Sequence, residues 1–457
     1  MKLVWFRNDL RLSDNPALHN ACVADGPVVA VVVLTPQQWR DHCEAPVKLA
    51  FWRDALVKLA DDLDRLNIPL RVLEAPCFDD CAEELSRLCQ ELSAKRLYFN
   101  YEYPVNERRR DIRVKQRLRG EGVIVDGFHG DLILPPGSVL SAKGDPFRVF
   151  TPFSRAWRRQ LLCADFSCLP APGRQSGTGT VRDIIPSLGQ AYDQDLWAAG
   201  ETAAAGRLQR FAAAGLGVYG DERDFPAIDG TSRLSPYLAT GQLSARQCLS
   251  AAQLSLGADW LESTWVTELI WREFYRHLLV AFPEQCRYQP FRPEVEAKIR
   301  WHDRPDLFDA WCRGETGFAI VDAAMRQLHE TGWMHNRLRM VTASFLTKLL
   351  GVDWRLGCDF FMSHLIDGDF ASNLGGWQWS ASVGADAAPY FRIFNPARQA
   401  ERFDPHDDFV CHWLPELASL PAKERRDPKR AAAARGLQPV IDYGEARREA
   451  LAAYKAG

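Results

Sequence analysis

Short apolar or β-branched runs alternate with longer helical stretches along the first 130 residues of the chain. Near-continuous apolar runs of this kind are typical of strands buried in a parallel sheet. The predicted strands are Leu3–Phe6, Val28–Thr35, Ile68–Glu74, Arg96–Tyr103 and Val123–Phe128. The predicted helices between them are Pro16–Val23, Lys48–Leu66, Asp79–Leu92 and Glu107–Arg119. This repeated order predicts an α/β domain with a doubly wound parallel sheet over residues 1–130.

The turn after the first predicted strand reads Arg7-Asn8-Asp9-Leu10-Arg11. It lacks the Gly-x-Gly-x-x-Gly pattern, in which glycines let the backbone approach a pyrophosphate closely. The sequence therefore argues against an ordinary dinucleotide site in this first domain.

A change of composition marks the middle of the chain. Leu169–Gly173 and Ser176–Thr180 are rich in proline, glycine and small polar residues, which is typical of a linker. We assign residues 131–200 to an interdomain linker. Beyond them the strand patterns disappear, and stretches such as Leu261–Phe282 place apolar residues near helical spacing. Residues 201–457 are therefore predicted to form an all-helical domain.

Composition excludes several classes of protein. The chain is 47% hydrophobic and 25% charged, as soluble globular proteins are, and no apolar run approaches the roughly 18 residues of a membrane span. Its N-terminus turns charged at Arg7, unlike a signal peptide, so we expect a cytoplasmic protein. The 12 cysteines include no Cys-x-x-Cys pair, and we expect them to be reduced and to bind no metal.

The densest candidate site lies between Asp367 and Pro396. This stretch combines acidic residues, the glycine pair Gly375-Gly376 and several aromatic residues. Paired glycines permit close backbone approach, and the mixture suits a planar, polar ligand such as a flavin or a base. From the residues alone, tight helix packing with tryptophan in the core is an equally good interpretation.

Seven segments together resemble the photolyase/cryptochrome family, and most closely the bacterial photolyases that carry a folate antenna. They follow one another in the family's order over nearly the whole chain: Val4–Arg11, Thr231–Ser235, Glu268–Tyr275, Asp322–Arg326, Gly332–Met340, Asp367–Phe370 and Gly375–Trp379. The resemblance implies an α/β antenna domain, a linker and a helical FAD domain. It also implies an enzyme that uses light to split cyclobutane pyrimidine dimers in DNA.

The resemblance implies that FAD is held folded back on itself in the helical domain. Arg339 and Asp367 resemble the family's ion pair beside the isoalloxazine ring, although such a pair can be purely structural. A Thr-Ser-x-x-Ser run can likewise be an ordinary helix cap. The implied FAD-binding residues are Tyr219, Thr231, Ser232, Leu234, Ser235, Trp271, Arg339, Asp367, Asp369 and Asn373.

Asn373 matches the position that faces flavin N5. The resemblance implies repair here rather than signalling, because photolyases carry Asn at this position. Plant cryptochromes carry Asp there, and animal cryptochromes commonly carry Cys.

The lesion site is implied by the same motifs. Excited reduced FAD would pass an electron to a flipped-out dimer, the ring would split, and the electron would return. The residues implied to act on the dimer are Glu268, Asn336, Met340 and Asn373. Six-four photolyases place His where Asn336 stands, so the resemblance favours cyclobutane dimers. Trp271 and Trp379 match residues that pack against the flipped bases.

Three tryptophans match the family's electron-transfer chain from the flavin to the surface. These are Trp377, Trp354 and Trp301, although tryptophan by default is a packing residue. The chain would activate the enzyme by reducing its flavin and would not be needed for repair itself.

A second chromophore, methenyltetrahydrofolate, is expected between the domains. The antenna residues implied by the resemblance are His42, Asn106, Glu107, Cys286 and Arg287. Arg287 stands where a lysine is common, which weakens the match for a polyglutamate tail. Read alone, Asn106-Glu107 is also an ordinary helix start with dipole-favourable charge.

The expected partner is UV-damaged DNA, single or double stranded, bound by a monomer. The net charge of −3 argues against coating DNA through bulk charge but allows a local basic rim. The candidate DNA-contacting residues are Arg223, Glu268, Trp271, Asn336, Arg337, Trp379, Arg392, Arg398 and Arg402. The alternatives are a blue-light signalling cryptochrome and a plain flavin electron-transfer protein.

Overall fold

The computed structural model describes residues 1–177 and 181–455. Thr178, Gly179 and Thr180, which belong to the predicted linker, lie outside the described residues. The chain divides into two compact units. The first comprises Met1–Gly217 and Ser232–Cys286, and the second comprises Val218–Thr231 and Arg287–Gly457.

A five-stranded parallel sheet forms the centre of the first unit. Its strand order is β3-β2-β1-β4-β5, so β1 lies in the middle and pairs with β2 on one side and β4 on the other. The strands are β1 (Lys2–Trp5), β2 (Val28–Leu34), β3 (Leu70–Glu74), β4 (Arg96–Asn100) and β5 (Ile124–Phe128). All four pairings are parallel, as the doubly wound pattern predicts.

Alternate residues of each strand face two separate apolar cores. Val4 of β1 belongs to the core that also contains Leu56 and Leu59, whereas Leu3 belongs to the core that contains Leu88. Successive side chains of a strand point to opposite faces, so a strand covered on both faces must be apolar throughout. The helices of this domain are α1 (Pro16–Val23), α2 (Pro36–Asp41), α3 (Pro46–Arg65), α4 (Cys81–Glu91) and α5 (Val105–Gly120).

The remaining elements of the first unit are helical. They are α6 (Phe150–Leu161), α7 (Glu201–Ala214), α9 (Ser235–Ala239), α10 (Ala245–Leu256), a 3₁₀ turn (Gly257–Glu262) and α11 (Thr264–Ala281). A second 3₁₀ turn (Pro283–Arg287) follows α11. Gly241 has a positive φ of 69° and lies so close to Asn8 that a Cβ would be 2.0 Å from its carbonyl oxygen.

The second unit is helical among the residues that are described. Its helices are α8 (Tyr219–Glu222), α12 (Pro293–Glu296), α13 (Pro305–Arg313), α14 (Ala319–Thr331), α15 (Asn336–Ser344), α16 (Trp354–Met362), α17 (Phe370–Ser380), α18 (Pro396–Phe403), α19 (Asp408–Trp413), α20 (Ala422–Arg425), α21 (Pro428–Ala434) and α22 (Tyr443–Lys455). A π-helical segment (Phe345–Leu349) follows α15, and a 3₁₀ turn (Pro415–Leu417) follows α19.

The predicted fold class is confirmed, with the parallel sheet first and the helical part after it. Every predicted strand and helix of the first 130 residues overlaps an observed one. Helix α2 was not predicted, and neither was α6, which lies inside the segment assigned to a linker. The domain boundaries after residues 130 and 200 stay predictions.

Within the described ranges, none of the helices combines the length and apolar character needed to cross a membrane. The same part of the chain holds no cluster of three or more His, Cys, Asp or Glu suited to a metal ion.

Candidate functional site

Helix α11 presents the first group of predicted site residues in the first unit. Ser263 caps its start, because its hydroxyl accepts a hydrogen bond from the backbone N–H of Val266 at 3.2 Å. Glu268 and Trp271 lie three positions apart, which puts them on one face of the helix, and both are partly exposed. The structure therefore brings these two predicted lesion-contacting residues together.

Trp271 stacks on Phe150, the first residue of α6. The two ring centroids are 3.6 Å apart and the planes differ by 4°. The ring centroid of Tyr275 lies 5.6 Å from that of the same indole. Phe150 thus covers one face of Trp271 and fixes its plane. Phe150 was not predicted as a site residue, since a single phenylalanine within an assigned linker carries no local signal.

Partly buried ion pairs and buried hydrogen bonds hold α11 in place. Arg276 pairs with Asp131 at 2.5 Å, and Arg272 pairs with the same carboxylate. Glu273 accepts hydrogen bonds from the Trp157 indole at 2.5 Å and from the backbone N–H of Leu134 at 3.3 Å. Burial raises the pKa of Glu273 to about 7, although these donors oppose the shift.

In the second unit, Arg339 and Asp367 form the predicted ion pair. Nη2 of Arg339 lies 3.0 and 2.8 Å from the two carboxylate oxygens, and its Nε donates to the carbonyl of Met334 at 2.8 Å. The Asp367 side chain is buried, whereas Arg339 is a quarter exposed. Asp369 caps α17 by accepting from the backbone N–H of Ser372 at 2.9 Å. These contacts fix the loop that precedes α17.

Asn373 lies in the first turn of α17 and is oriented by Cys358. Its Nδ2 donates to the Cys358 carbonyl at 2.9 Å and lies 3.2 Å from the Cys358 sulfur. This contact requires an amide nitrogen, which fixes the orientation of the amide. No described residue donates a hydrogen bond to Oδ1 of Asn373, so this neutral acceptor is available to a ligand N–H.

The other predicted FAD-binding residues lie on one short segment. Tyr219 begins α8, and the Arg223 guanidinium lies 5.4 Å from its ring centroid. The segment crosses from the second unit to the first between Thr231 and Ser232. The remaining members are the buried Leu234 and Ser235, the first residue of α9.

Helix α15 carries Asn336, Arg337 and Met340 in the second unit. His335 caps this helix, since its Nδ1 accepts from the backbone N–H of Arg337 at 3.2 Å, and the residue is only 2% exposed. Asn336 is exposed beside it, and Met340 follows one turn later on the same face. The structure therefore buries the histidine and presents the asparagine.

Arg337 is held by two neighbours within the second unit. Its Nη2 lies 2.7 Å from the Asp224 carboxylate, and its guanidinium lies 4.3 Å from the Phe403 ring centroid. The predicted rim arginines Arg392, Arg398 and Arg402 are exposed. The loop that contains Arg392 also exposes Phe391, at 63%. Trp379 is half-buried on α17.

The three predicted electron-transfer tryptophans lie around α16. Trp354 is the first residue of α16 and is fully buried. Gly357 lies three positions after it on the same helix, and the buried ring of Trp377, from α17, packs against Gly357. A Cβ at Gly357 would lie 2.2 Å from the Trp377 ring, so only glycine fits. Trp301 is partly exposed and shares with Trp354 the acceptor Glu296. Trp311, whose centroid is 6.0 Å from that of Trp377, was not predicted.

Two of the predicted antenna residues, His42 and Glu107, line a pocket in the first unit. The pocket lies at the carboxyl ends of β1, β2 and β4, where doubly wound sheets commonly bind ligands. Its lining contains both aromatic and charged side chains. The aromatic ones are Trp5, Phe6, Trp39, Trp52 and Phe78, and the charged ones include Arg7, Glu44, Lys48, Glu102, Glu107 and Arg110.

Glu107 is the residue of this pocket with an unused acceptor. Its Oε1 lies 3.7 Å from Nδ1 of His42, while Oε2 is buried and has no hydrogen-bond partner among the described residues. Burial raises the pKa of Glu107 to about 7, and the negative charge of Glu102 adds to the shift. Asn106 contacts the other nitrogen of His42 at 3.0 Å.

Of the other two predicted antenna residues, only Cys286 belongs to the first unit. Its thiol lies beside the start of α5, and burial raises its pKa to about 11. Arg287 is the first residue of the second unit's main segment.

Comparison with known proteins gives matches over nearly the whole chain. Residues 2–173 match the family described as DNA photolyase, and residues 265–456 match the FAD binding domain of DNA photolyase. The deoxyribodipyrimidine photo-lyase of Salmonella typhimurium is 47% identical over an alignment that covers 99% of this chain and 98% of that protein.

Solved structures match equally broadly. The class III photolyase of Agrobacterium tumefaciens has 36% identity and a TM-score of 0.90, and the match covers 100% of this chain and 97% of that one. An archaeal photolyase from Sulfolobus tokodaii, solved with two FAD molecules, has 27% identity and a TM-score of 0.80, with full coverage of both chains. The chain therefore belongs to the DNA photolyase family, whose members are FAD-binding enzymes of light-driven DNA repair.

Proposed function

We propose that this chain repairs cyclobutane pyrimidine dimers, as a monomer acting on UV-damaged DNA in the cytoplasm. The choice of lesion depends on the two residues at the start of α15, His335 and Asn336. By the resemblance, six-four photolyases place a histidine where this chain has the exposed Asn336, and the neighbouring His335 is buried as a helix cap. An asparagine amide cannot take up or release a proton near neutral pH. The site therefore suits a lesion whose repair needs no proton transfer.

The residues of the proposed cofactor site fit FAD. FAD supplies, when bound, the light-excited electron donor for the dimer. Asn373 would accept from an N–H of the flavin ring through Oδ1, because its Nδ2 is occupied by Cys358. Arg339 would hold its positive charge beside the ring, balanced by the buried Asp367. Tyr219, Thr231, Ser232, Leu234 and Ser235 would line the rest of the cofactor.

The lesion would be held by stacking and by hydrogen bonds rather than by acid–base groups. Trp271 offers an indole plane that Phe150 supports from behind, and Trp379 offers a second one. Glu268, on the same face of α11 as Trp271, would accept hydrogen bonds from the 5′ base. Arg337 and the exposed arginines Arg392 and Arg398 would contact the DNA backbone, and Arg223 would join them.

We also propose a folate antenna in the first unit, with Glu107 as its main polar contact. The unused Oε2 of Glu107 would accept from the donors of a pterin ring, and the aromatic lining would cover the ring faces. The Sulfolobus tokodaii photolyase was solved with two FAD molecules, so a second chromophore has a precedent among the structural neighbours.

Binding in the dark tests the choice of lesion. Three oligonucleotides of one sequence, with a cyclobutane thymine dimer, a six-four photoproduct or no lesion, would be titrated against the FAD-loaded protein. We expect tightest binding to the cyclobutane dimer, and weaker binding to each as salt rises. Tighter binding to the six-four product would overturn the assignment.

A further inference from the structure

Glu296 hydrogen-bonds two of the three tryptophans of the proposed electron-transfer chain. Its Oε1 accepts from the indole N–H of Trp354 at 2.9 Å and from that of Trp301 at a longer 3.4 Å. Trp354 is fully buried, whereas Trp301 is partly exposed. One carboxylate oxygen therefore bridges an inner and an outer tryptophan.

A positive charge lies next to the same indole. The Arg355 guanidinium is 4.5 Å from the Trp354 ring centroid. Glu296 engages Arg355 with both oxygens, at 2.9 Å each, and Asp353 contacts it at 3.1 Å. Although burial raises the pKa of Glu296, the hydrogen bonds from Arg355 and Trp354 lower it below its ordinary value. The carboxylate therefore stays ionised at neutral pH and offsets the charge of Arg355.

These contacts matter when an indole loses an electron. The cation radical that remains is attracted by a carboxylate and repelled by a guanidinium, and both effects are strong at a few ångströms in a partly buried site. An N–H bonded to a carboxylate also carries added positive charge more easily than one bonded to a neutral acceptor.

We propose that Glu296 is a positioning residue that stabilises the oxidised forms of Trp354 and Trp301 and thereby raises the yield of photoreduction. The inference rests on the electron-transfer chain of tryptophans that the resemblance predicts. With FAD bound as the acceptor, one electron would move inward from Trp301 through Trp354 and Trp377. The positive charge would be left on Trp301, where a thiolate from solution would return one electron and become a thiyl radical. No bond to carbon breaks, and the indole proton stays shared with Glu296.

Two substitutions with opposite expected signs test the proposal. Glu296→Gln keeps an acceptor of similar shape but removes the charge, so the indole cation should decay faster, by on the order of tenfold. Arg355→Gln removes the repelling charge, so the cation should persist at least as long as in the parent. The measurement is transient absorption of the tryptophan radical after a blue flash on the FAD-loaded protein.

The control is Glu294→Gln, on the same short helix, where the carboxylate is exposed and pairs with Arg292. It should leave the radical decay unchanged, and FAD content should match the parent in all variants. An unchanged decay in Glu296→Gln, or faster decay in both Glu296→Gln and Arg355→Gln, would overturn the electrostatic role.

Trp301→Phe separates this inference from the chain on which it rests. It should abolish the long-lived radical. If Trp301→Phe does so while Glu296→Gln has no effect, only the role of Glu296 fails. If Trp301→Phe leaves the radical signal unchanged, the tryptophan chain itself is wrong, and the role of Glu296 with it.

Discussion

At the scale of single residues, two proposed ligand contacts share one feature. Asn373 has its amide nitrogen committed to Cys358, and Glu107 has one oxygen near His42, so each keeps one acceptor atom for a ligand. A buried acceptor without a donor costs about 1–3 kcal/mol. At Glu107, where the unused oxygen is buried, a bound chromophore with ring N–H groups would recover that cost.

The raised pKa of Glu107 predicts that binding of the antenna chromophore depends on pH. With a pKa of about 7, its ionised fraction rises from about a tenth at pH 6 to about nine tenths at pH 8. Donors of a pterin ring bond more strongly to the carboxylate than to the acid. Affinity for methenyltetrahydrofolate, measured by equilibrium dialysis, should therefore increase several-fold over this range. Glu107→Gln should bind more weakly and equally at both pH values, and a parallel increase in that variant would contradict the assignment.

Replacement of Trp271 by alanine should weaken binding of the lesion while FAD still binds. Base–aromatic stacking is worth about 1–3 kcal/mol, so Trp271→Ala should weaken binding to dimer-containing DNA roughly tenfold or more. FAD should still bind, because Trp271 is one of ten implied FAD-binding residues and the other nine are unchanged. Trp260→Ala, a partly buried tryptophan outside the proposed site, serves as the control. Equal affinities of the parent and Trp271→Ala in a fluorescence titration would remove Trp271 from the lesion site.

At the scale of elements, periodicity predicted those parts of the fold whose packing is simplest. Strands such as Val28–Leu34 are apolar throughout because both faces are covered, and this signal survives without any knowledge of neighbours. Helix α6 was not predicted because its segment lies among proline- and glycine-rich stretches. Its apolar residues Phe153, Trp157 and Leu161 nevertheless have helical spacing. The composition of residues 131–200 indicated a linker, and the short helical pattern within them was therefore not assigned to a helix.

The packing of α16 against α17 gives a prediction for stability. A Cβ at Gly357 would lie 2.2 Å from the Trp377 ring, so Gly357→Ala should lower the free energy of unfolding by about 1–3 kcal/mol. Gly376, on α17, has nothing within 4 Å of the same added atom. Gly376→Ala should be neutral or stabilise by up to about 1 kcal/mol. Urea unfolding of both variants checks this, and equal stabilities would contradict the packing.

At the scale of the whole molecule, the proposed FAD and lesion sites draw on residues that are far apart in sequence. Glu268 and Trp271 lie on α11, whereas Asn336 and Arg339 lie on α15 and Asn373 lies on α17. No local pattern relates such residues, so their assignment depended on resemblance to a family. The resemblance did not predict the contacts of Phe150 and Glu296, which only the three-dimensional structure shows.

The central claim is light-driven repair of the cyclobutane dimer, and repair of defined lesions tests it most directly. Two oligonucleotides, one with a cyclobutane thymine dimer and one with a six-four photoproduct, would be incubated with the reduced, FAD-loaded protein in blue light and in darkness. We predict restored thymines in the first oligonucleotide only, and only in light. Restoration of neither, with FAD bound and reduced, would contradict the account and favour a signalling role.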